Sequence, residues 1–379
     1  CGFAGAQDPW VITADKIDAH HYYGETVANG MLGLVSSPEP MTLSTTVLAG
    51  CYDKFGRGEV SNFLCGFDFL DTELEIDGER IRTDNITRHT QRLDMRNAVL
   101  EGDLVFADKA RVTYRIYSLR QLPFCGMQTI EIIAQKDLTL TVRNCQNNPT
   151  GFTGYKPRFE SLEVGRTRMR LQSSESRSPT GRLQMAACST FLFPNGSCPE
   201  VGHGEADGSQ HITFSLPLKK GERYAFAVVG ATMSSAHHPD PINEVKRLTV
   251  YCRMQGTARL LADHQREWDQ LWSSDIIIDG DAQSQQDVHN MMYHLYAFLR
   301  EGSGLSVSPM GLSGLGYNGH VFWDADTWMF PPLLLLHPEL AKSMLDYRYE
   351  RLPAARKNAF EHGYKGAMYP WEVVLRTLR

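Results

Sequence analysis

The sequence predicts a large antiparallel β-sandwich over residues 1–238, a helical linker over 239–284, and the start of an all-helical domain over 285–379. Three observations lead there. At 379 residues the chain is longer than one hydrophobic core usually grows, so more than one unit is expected. From about residue 10 to 236 apolar residues recur with period two, the spacing of strands with one buried face. Near Pro239 the spacing changes to three and four, that of amphipathic helices.

In the first region Val112, Tyr114 and Ile116 alternate with Arg111, Thr113 and Arg115. Leu138, Leu140 and Val142 alternate in the same way with Thr139, Thr141 and Arg143. Asp77-Gly78, between residues 74–76 and Ile81, and Lys220-Gly221, between 214–218 and 224–229, read as hairpin turns. Strand follows strand with no helical pattern between, which favours stacked antiparallel sheets over βαβ units. In the linker Val245, Leu248 and Cys252, then Leu260, Leu261, His264, Trp268, Leu271 and Trp272, form the stripes of a helix pair that Gly256 is expected to break. The polar stretch from Asp279 to Gln286 is expected to end the linker. Beyond it Val288, Met291, Met292, Leu295 and Leu299 form a further helical stripe, read as core packing.

Composition excludes several function classes. The net charge is −6, with Lys and Arg scattered among acids, so no basic stripe is available to release counterions from nucleic acid. No apolar run approaches the ~20 residues that a membrane span needs, the candidate stretch 333–336 being short and Pro-bounded. Eight cysteines (Cys1, Cys51, Cys65, Cys125, Cys145, Cys188, Cys198 and Cys252) lack CxxC spacing and read as structural thiols. Cys1 is the exception. A chain starting Cys-Gly looks like a secreted lipoprotein after signal removal, which predicts lipidation at Cys1 and a periplasmic or outer-membrane location. Membrane contact would then come only through that anchor; the alternative is an incidental boundary. The histidines show no HExxH spacing, so no metal is expected, and no cofactor is implied.

The chemistry concentrates in residues 316–331, Gly-Tyr-Asn-Gly-His-Val-Phe-Trp-Asp-Ala-Asp-Thr-Trp-Met-Phe-Pro, which read as a loop entering a helix. Gly316 and Gly319 permit backbone conformations closed to other residues. A pyranose ring has an apolar face that stacks on indole, while its hydroxyls hydrogen-bond to carboxylates. Trp323 and Asp324 would supply that pair. The competing reading has Asp324 or Asp326 capping the following helix, with the tryptophans packed inside.

An ordered series then becomes specific: Gly319-His320-Val321-Phe322-Trp323-Asp324, Trp328-Met329-Phe330-Pro331, His337-Pro338-Glu339, Tyr347-Arg348-Tyr349, Asn358-Ala359, Gly363-Tyr364-Lys365-Gly366-Ala367 and Pro370-Trp371-Glu372. It resembles the opening of the catalytic domain of glycoside hydrolase family 65, whose members cleave or form α-glucosidic bonds with inversion, as hydrolases or phosphorylases. The likeness of layout covers the whole chain, and that of motifs begins near Gly311. The resemblance implies a β-sandwich followed by an (α/α)6 barrel, of which residues 285–379 would be an incomplete start. It implies that Trp323 and Asp324 line the subsite for the glucose on the non-reducing side of the scissile bond, that Trp371 and Glu372 lie near the pocket, and that His320 and Tyr317 orient the loop or the sugar.

The family's general acid, and the hydrolases' general base, are expected C-terminal to Arg379, so no catalytic residue is nominated and this polypeptide alone is expected to be inactive. Residues 373–379 depart from the family pattern. Trp328-Met329-Phe330-Pro331 looks more like the family's hydrolases than its phosphorylases, which predicts inverting hydrolysis of an α-glucoside. The alternatives are an inverting phosphorylase releasing β-glucose 1-phosphate and, in a different class, a non-catalytic carbohydrate-binding fragment. The family's habits also admit a homodimer, for which no interface is legible.

Overall fold

The computed structural model describes residues 8–54, 60–165, 167–194, 197, 199–206 and 209–373. Cys1, Cys198 and residues 374–379, on which three of the expectations rest, lie outside the described residues. Among those described, eighteen strands from Val11 to Ser234 form antiparallel sheets of nine, five and four strands. The alternation read from the sequence is visible in Ala110–Ser118: Val112, Tyr114 and Ile116 are buried, while Arg111, Thr113 and Arg115 are not. One face of the nine-stranded sheet packs on the two smaller sheets through a continuous core that includes Leu34, Phe69, Leu74, Tyr114, Ile130, Val142 and Phe214.

The other face is not left to solvent. Strands Gln184–Leu192 and Arg223–Ser234 are buried almost continuously rather than at alternate residues, because helix α1 (Pro241–Leu271) lies across them. Ile242, Val245, Leu248, Cys252 and Leu260 of α1 pack on Met127, Ala186, Cys188, Val229 and Ala231 in a second core. Each Val, Leu, Ile or Met among these contributes on the order of 1.5–3 kcal/mol by leaving water, and each Ala less. The segment read as a linker therefore forms the third layer of the sandwich. As expected, α1 breaks at Gly256, whose φ of 74° and ψ of 162° no helix contains.

The turn expectations divide. Asp77-Gly78 joins Thr72–Ile76 to Glu79–Arg80 as a hairpin. Lys220-Gly221 does not make one. The strand before it, Ser209–Leu218, pairs along its whole length with Leu138–Asn147 in the five-stranded sheet. The strand after it, Arg223–Ser234, pairs with Cys125–Ala134 and Gln184–Leu192 in the nine-stranded sheet. Turn chemistry reports that the chain reverses, whereas the partner is decided by which core each apolar face enters.

Helix α2 (Ala282–Phe298) begins at Asp281, whose carboxylate accepts from the N–H groups of Gln283 and Ser284. Most of the polar stretch 279–286 is thus cap and first turn rather than linker. The buried face of α2 is also rotated from the expected stripe: Gln285, His289, Met292, Tyr293 and Tyr296 face inward, while Met291 is 61% exposed. Polar tips can be buried there because backbone carbonyls receive them. Tyr293 donates to Thr26 O (2.9 Å), Tyr296 to Ser274 O (3.1 Å), and His289 Nδ1 to Pro9 O (3.1 Å). Helices α3 (Phe330–Leu336), α4 (Pro338–Glu350) and α5 (Leu352–Glu361) follow. Among the described residues no helix is long and apolar enough to cross a membrane.

Candidate functional site

Between α2 and α3 the chain makes a tight turn, Gly316–Gly319, and a two-residue strand, Val321–Phe322. Tyr317, Asn318 and Gly319 all take the left-handed backbone region, with φ of 53°, 56° and 68°. A β-carbon on Gly319 would lie 2.1 Å from the Phe63 ring, so only glycine fits against the sandwich there. Gly316, expected to share that role, does not take a positive φ; Tyr317 and Asn318 carry the unusual conformation instead.

Val321–Phe322 pairs antiparallel with Glu372–Val373, setting Phe322 opposite Glu372. This short ribbon joins two motifs that lie about fifty residues apart in sequence. It places the Trp323 and Trp371 rings 5.4 Å apart at 63°, with Phe322 edge-on to Trp371 and Tyr317 edge-on to Phe322. Trp323 is 46% and Trp371 60% exposed, so these indoles form an open apolar shelf rather than core.

The carboxylates have separate fates. Asp326 is taken up by Arg348, whose Nε and Nη2 donate to one of its oxygens at 2.9 and 2.6 Å; Nη2 also donates to Phe322 O at 3.2 Å. Arg348 is itself held beside the rings of Tyr347 and Tyr369. Asp324 is half-buried and makes no hydrogen bond or ion pair to another described residue. Neither acid caps the following helix, which opens with a π-turn, Ala325–Met329, lacking any side-chain cap. Such turns recur at functional sites because they re-aim one side chain within a helix. The arrangement therefore offers indole faces and a carboxylate with unused acceptors, which suits a ring bearing hydroxyl donors.

His320 is 3% exposed and does not reach the surface of the shelf. Its Nε2 lies 2.6 Å from Ser61 O and its Nδ1 3.3 Å from Glu372 Oε2. Tyr317 is 64% exposed at the shelf's edge. The structure thus brings Tyr317, His320, Trp323, Asp324, Trp371 and Glu372 into one neighbourhood. It adds supports whose roles the sequence did not disclose, Arg348 having stood in the ordered series with no role given. Tyr52 donates its hydroxyl to Gly319 O at 2.7 Å, and burial pushes that hydroxyl well above its ordinary pKa, so it stays a donor. Phe63 and Ser61 underlie the turn, and Arg348 fixes the strand. Tyr52 and Phe63 read in sequence as sandwich core, and only the flanking tyrosines of Arg348 hint at a held guanidinium. Among the described residues no three His, Cys, Asp or Glu side chains cluster as a metal site.

The family model "Glycosyl hydrolase family 65, N-terminal domain" matches residues 24–271, and "Glycosyl hydrolase family 65 central catalytic domain" matches 289–377. A kojibiose hydrolase of Flavobacterium johnsoniae is 49% identical over 377 residues, covering 98% of this chain and 55% of that protein. Another, of Mucilaginibacter mallensis, is 48% identical over 98% of this chain and 56% of its own length. A kojibiose phosphorylase of Halothermothrix orenii is 26% identical over 97% of this chain and 50% of its own. The chain spans about half the length of the curated relatives it matches. A solved structure described as a kojibiose phosphorylase from the human microbiome superposes with a TM-score of 0.75 at 14% identity, over 97% of this chain and 52% of that one, and bears on the fold.

Proposed function

The chain belongs to glycosyl hydrolase family 65, and from that membership we propose that the protein of which it forms the sandwich and first helices hydrolyses an α-glucosidic disaccharide, kojibiose first among them, with inversion. The observation that carries the reading is Asp324, a half-buried acid without a partner among the described residues, set beside the exposed Trp323. A hexose stacked on that indole would offer its hydroxyls to an acceptor whose lone pairs are otherwise unused. Trp371 and Glu372 would wall the same sugar site, Tyr317 would edge it, and α2 to α5 would open an (α/α)6 barrel.

Hydrolysis is favoured over phosphorolysis by the relatives: those at 48–49% identity are named hydrolases, whereas the kojibiose phosphorylase of H. orenii stands at 26%. Inverting hydrolysis needs a protonated carboxyl at the leaving oxygen and a carboxylate behind a water, roughly 6.5–9.5 Å apart. Neither role is assigned to a residue of this chain.

The test uses a protein of the relatives' full length, incubated with kojibiose with and without phosphate and followed by proton NMR of the newly released anomer. β-Glucose appearing at equal rates in both is the expected result. Phosphate-dependent β-glucose 1-phosphate, or no turnover, would overturn the hydrolase reading. Asp324→Asn should lower kcat/KM at least about tenfold, the value of a charge-assisted hydrogen bond, while leaving the unfolding free energy within about 0.5 kcal/mol.

A further inference from the structure

His320 joins two parts of the molecule that are distant in sequence, and its two nitrogens are not equivalent. Nε2 lies 2.6 Å from the carbonyl oxygen of Ser61, on the strand Ser61–Cys65 in the four-stranded sheet. A carbonyl only accepts, so Nε2 carries the hydrogen and the tautomer is set by the sandwich. Nδ1 lies 3.3 Å from Glu372 Oε2. With Nε2–H committed, a neutral imidazole would point a lone pair at a carboxylate lone pair, which repels. The contact is attractive only with a proton between them, as imidazolium and carboxylate or as imidazole and carboxylic acid.

The ring has no freedom to turn away. It is 3% exposed, the next residue is paired in the ribbon opposite Val373, and the preceding Gly319 is clamped by Tyr52 above Phe63. Glu372 is half exposed, so one of its oxygens faces His320 while much of the carboxylate remains open to solvent. We infer that His320 is a positioning residue for Glu372: the N-terminal sheet, through the Ser61 carbonyl, fixes the imidazole whose Nδ1 edge aims the Glu372 carboxylate beside the sugar shelf. The inference rests on the reading of Glu372 as a sugar ligand. It gives the sandwich a part in substrate binding that it performs without touching substrate.

Two isosteric variants separate this role from simple packing. His320→Gln keeps an N–H where Nε2 was, and so the Ser61 bond, but loses the donor to Glu372. His320→Asn keeps a donor where Nδ1 was and loses the Ser61 bond. In the full-length enzyme, His320→Gln should raise KM for kojibiose about tenfold with kcat changed far less, while His320→Asn should retain most of the wild-type KM yet melt at the lower temperature of the two. The double variant His320→Gln/Glu372→Gln should match Glu372→Gln alone, since the histidine acts through the acid.

If KM instead follows melting temperature, with Gln closer to wild type than Asn, the histidine is structural and the inference falls. It falls equally if the two substitutions multiply. If Glu372→Gln by itself leaves kcat/KM unchanged, the assignment of Glu372 to the sugar falls and takes the inference with it; a Glu372 effect that multiplies with His320→Gln sinks the inference alone. Should His320→Gln fail to fold, the comparison of His320→Asn with Glu372→Gln still decides: a KM as weak in His320→Asn as in Glu372→Gln refutes the role, and a near-normal one supports it.

Discussion

His264, on the buried face of α1 and 1% exposed, accepts the backbone N–H of Arg120 at Nδ1 (3.1 Å) and donates from Nε2 to Asn97 O (3.1 Å). Both partners fix the neutral form, because a second proton would have to sit on Nδ1 against an N–H donor. Burial, with the Arg120 guanidinium nearby, pushes the ring down to about 4 from an ordinary 6.5. The folded pKa lies below the unfolded one, so the unfolded chain takes up the proton first on acidification. This histidine's contribution is whole above pH 6.5 and is lost as the pH falls toward 4. Urea unfolding at pH 7.5 and pH 5 should show wild type losing about 2 kcal/mol more than His264→Gln over that interval. An equal loss in both would mean that the ring titrates normally. The same residue scale shows what a sequence can disclose. Trp323 and Asp324 were legible because an indole beside an acid after a glycine turn suits no ordinary core. Ser61 and Tyr52 were not, since their own neighbourhoods look like ordinary strand, and Arg348 was legible as part of a motif but not in its role, which is a contact with Asp326 and Phe322 more than twenty residues away.

At the scale of elements, α1 is the instructive case. Its break was legible because Gly256 interrupts two apolar stripes, and the backbone there (φ 74°, ψ 162°) lies in a region essentially reserved for glycine. A β-carbon at 256 would meet nothing within 4 Å, so any cost of Gly256→Ala is conformational rather than steric. The substitution should therefore destabilise by about 1–3 kcal/mol, read as a lower melting temperature, with kcat/KM unchanged in the full-length enzyme. A neutral or stabilising outcome would mean that the two halves of α1 can straighten without leaving the sheet. The docking of α1 was not legible, because an amphipathic stripe declares that a face is buried and not against what. The continuous burial of Gln184–Leu192 and Arg223–Ser234 held the complementary half of that information. The Lys220-Gly221 crossing failed for a related reason, as two strands joined by a tight turn can still serve different sheets when their partners are distant.

At the scale of the molecule, the helical region is unevenly covered. Helices α2 and α4 bury Tyr293, Tyr296 and Tyr347 completely, and the seam with the sandwich is closed by Tyr52, Tyr293 and Arg300. On the outer sides of α3, α4 and α5, and on the turn before α3, large apolar side chains stand in solvent: Trp328 is 72%, Leu335 85%, Tyr349 75% and Phe360 81% exposed. Monomeric proteins rarely leave contiguous apolar patches beyond a few hundred Å² uncovered. This chain covers only 55–56% of the matched kojibiose hydrolases, and a protein of their full length would have further chain with which to cover these faces. A polypeptide of residues 1–379 expressed alone should therefore self-associate, with a sedimentation coefficient that rises with concentration, and should not turn over kojibiose. Leu335→Glu with Phe360→Glu should return it to a monomer. In a protein of the relatives' full length the same pair should act in the opposite sense, costing several kcal/mol of stability because both side chains would then carry charge into a packed interface. A concentration-independent monomer for residues 1–379, together with full tolerance of both glutamates in the longer protein, would mean that these faces are true surface.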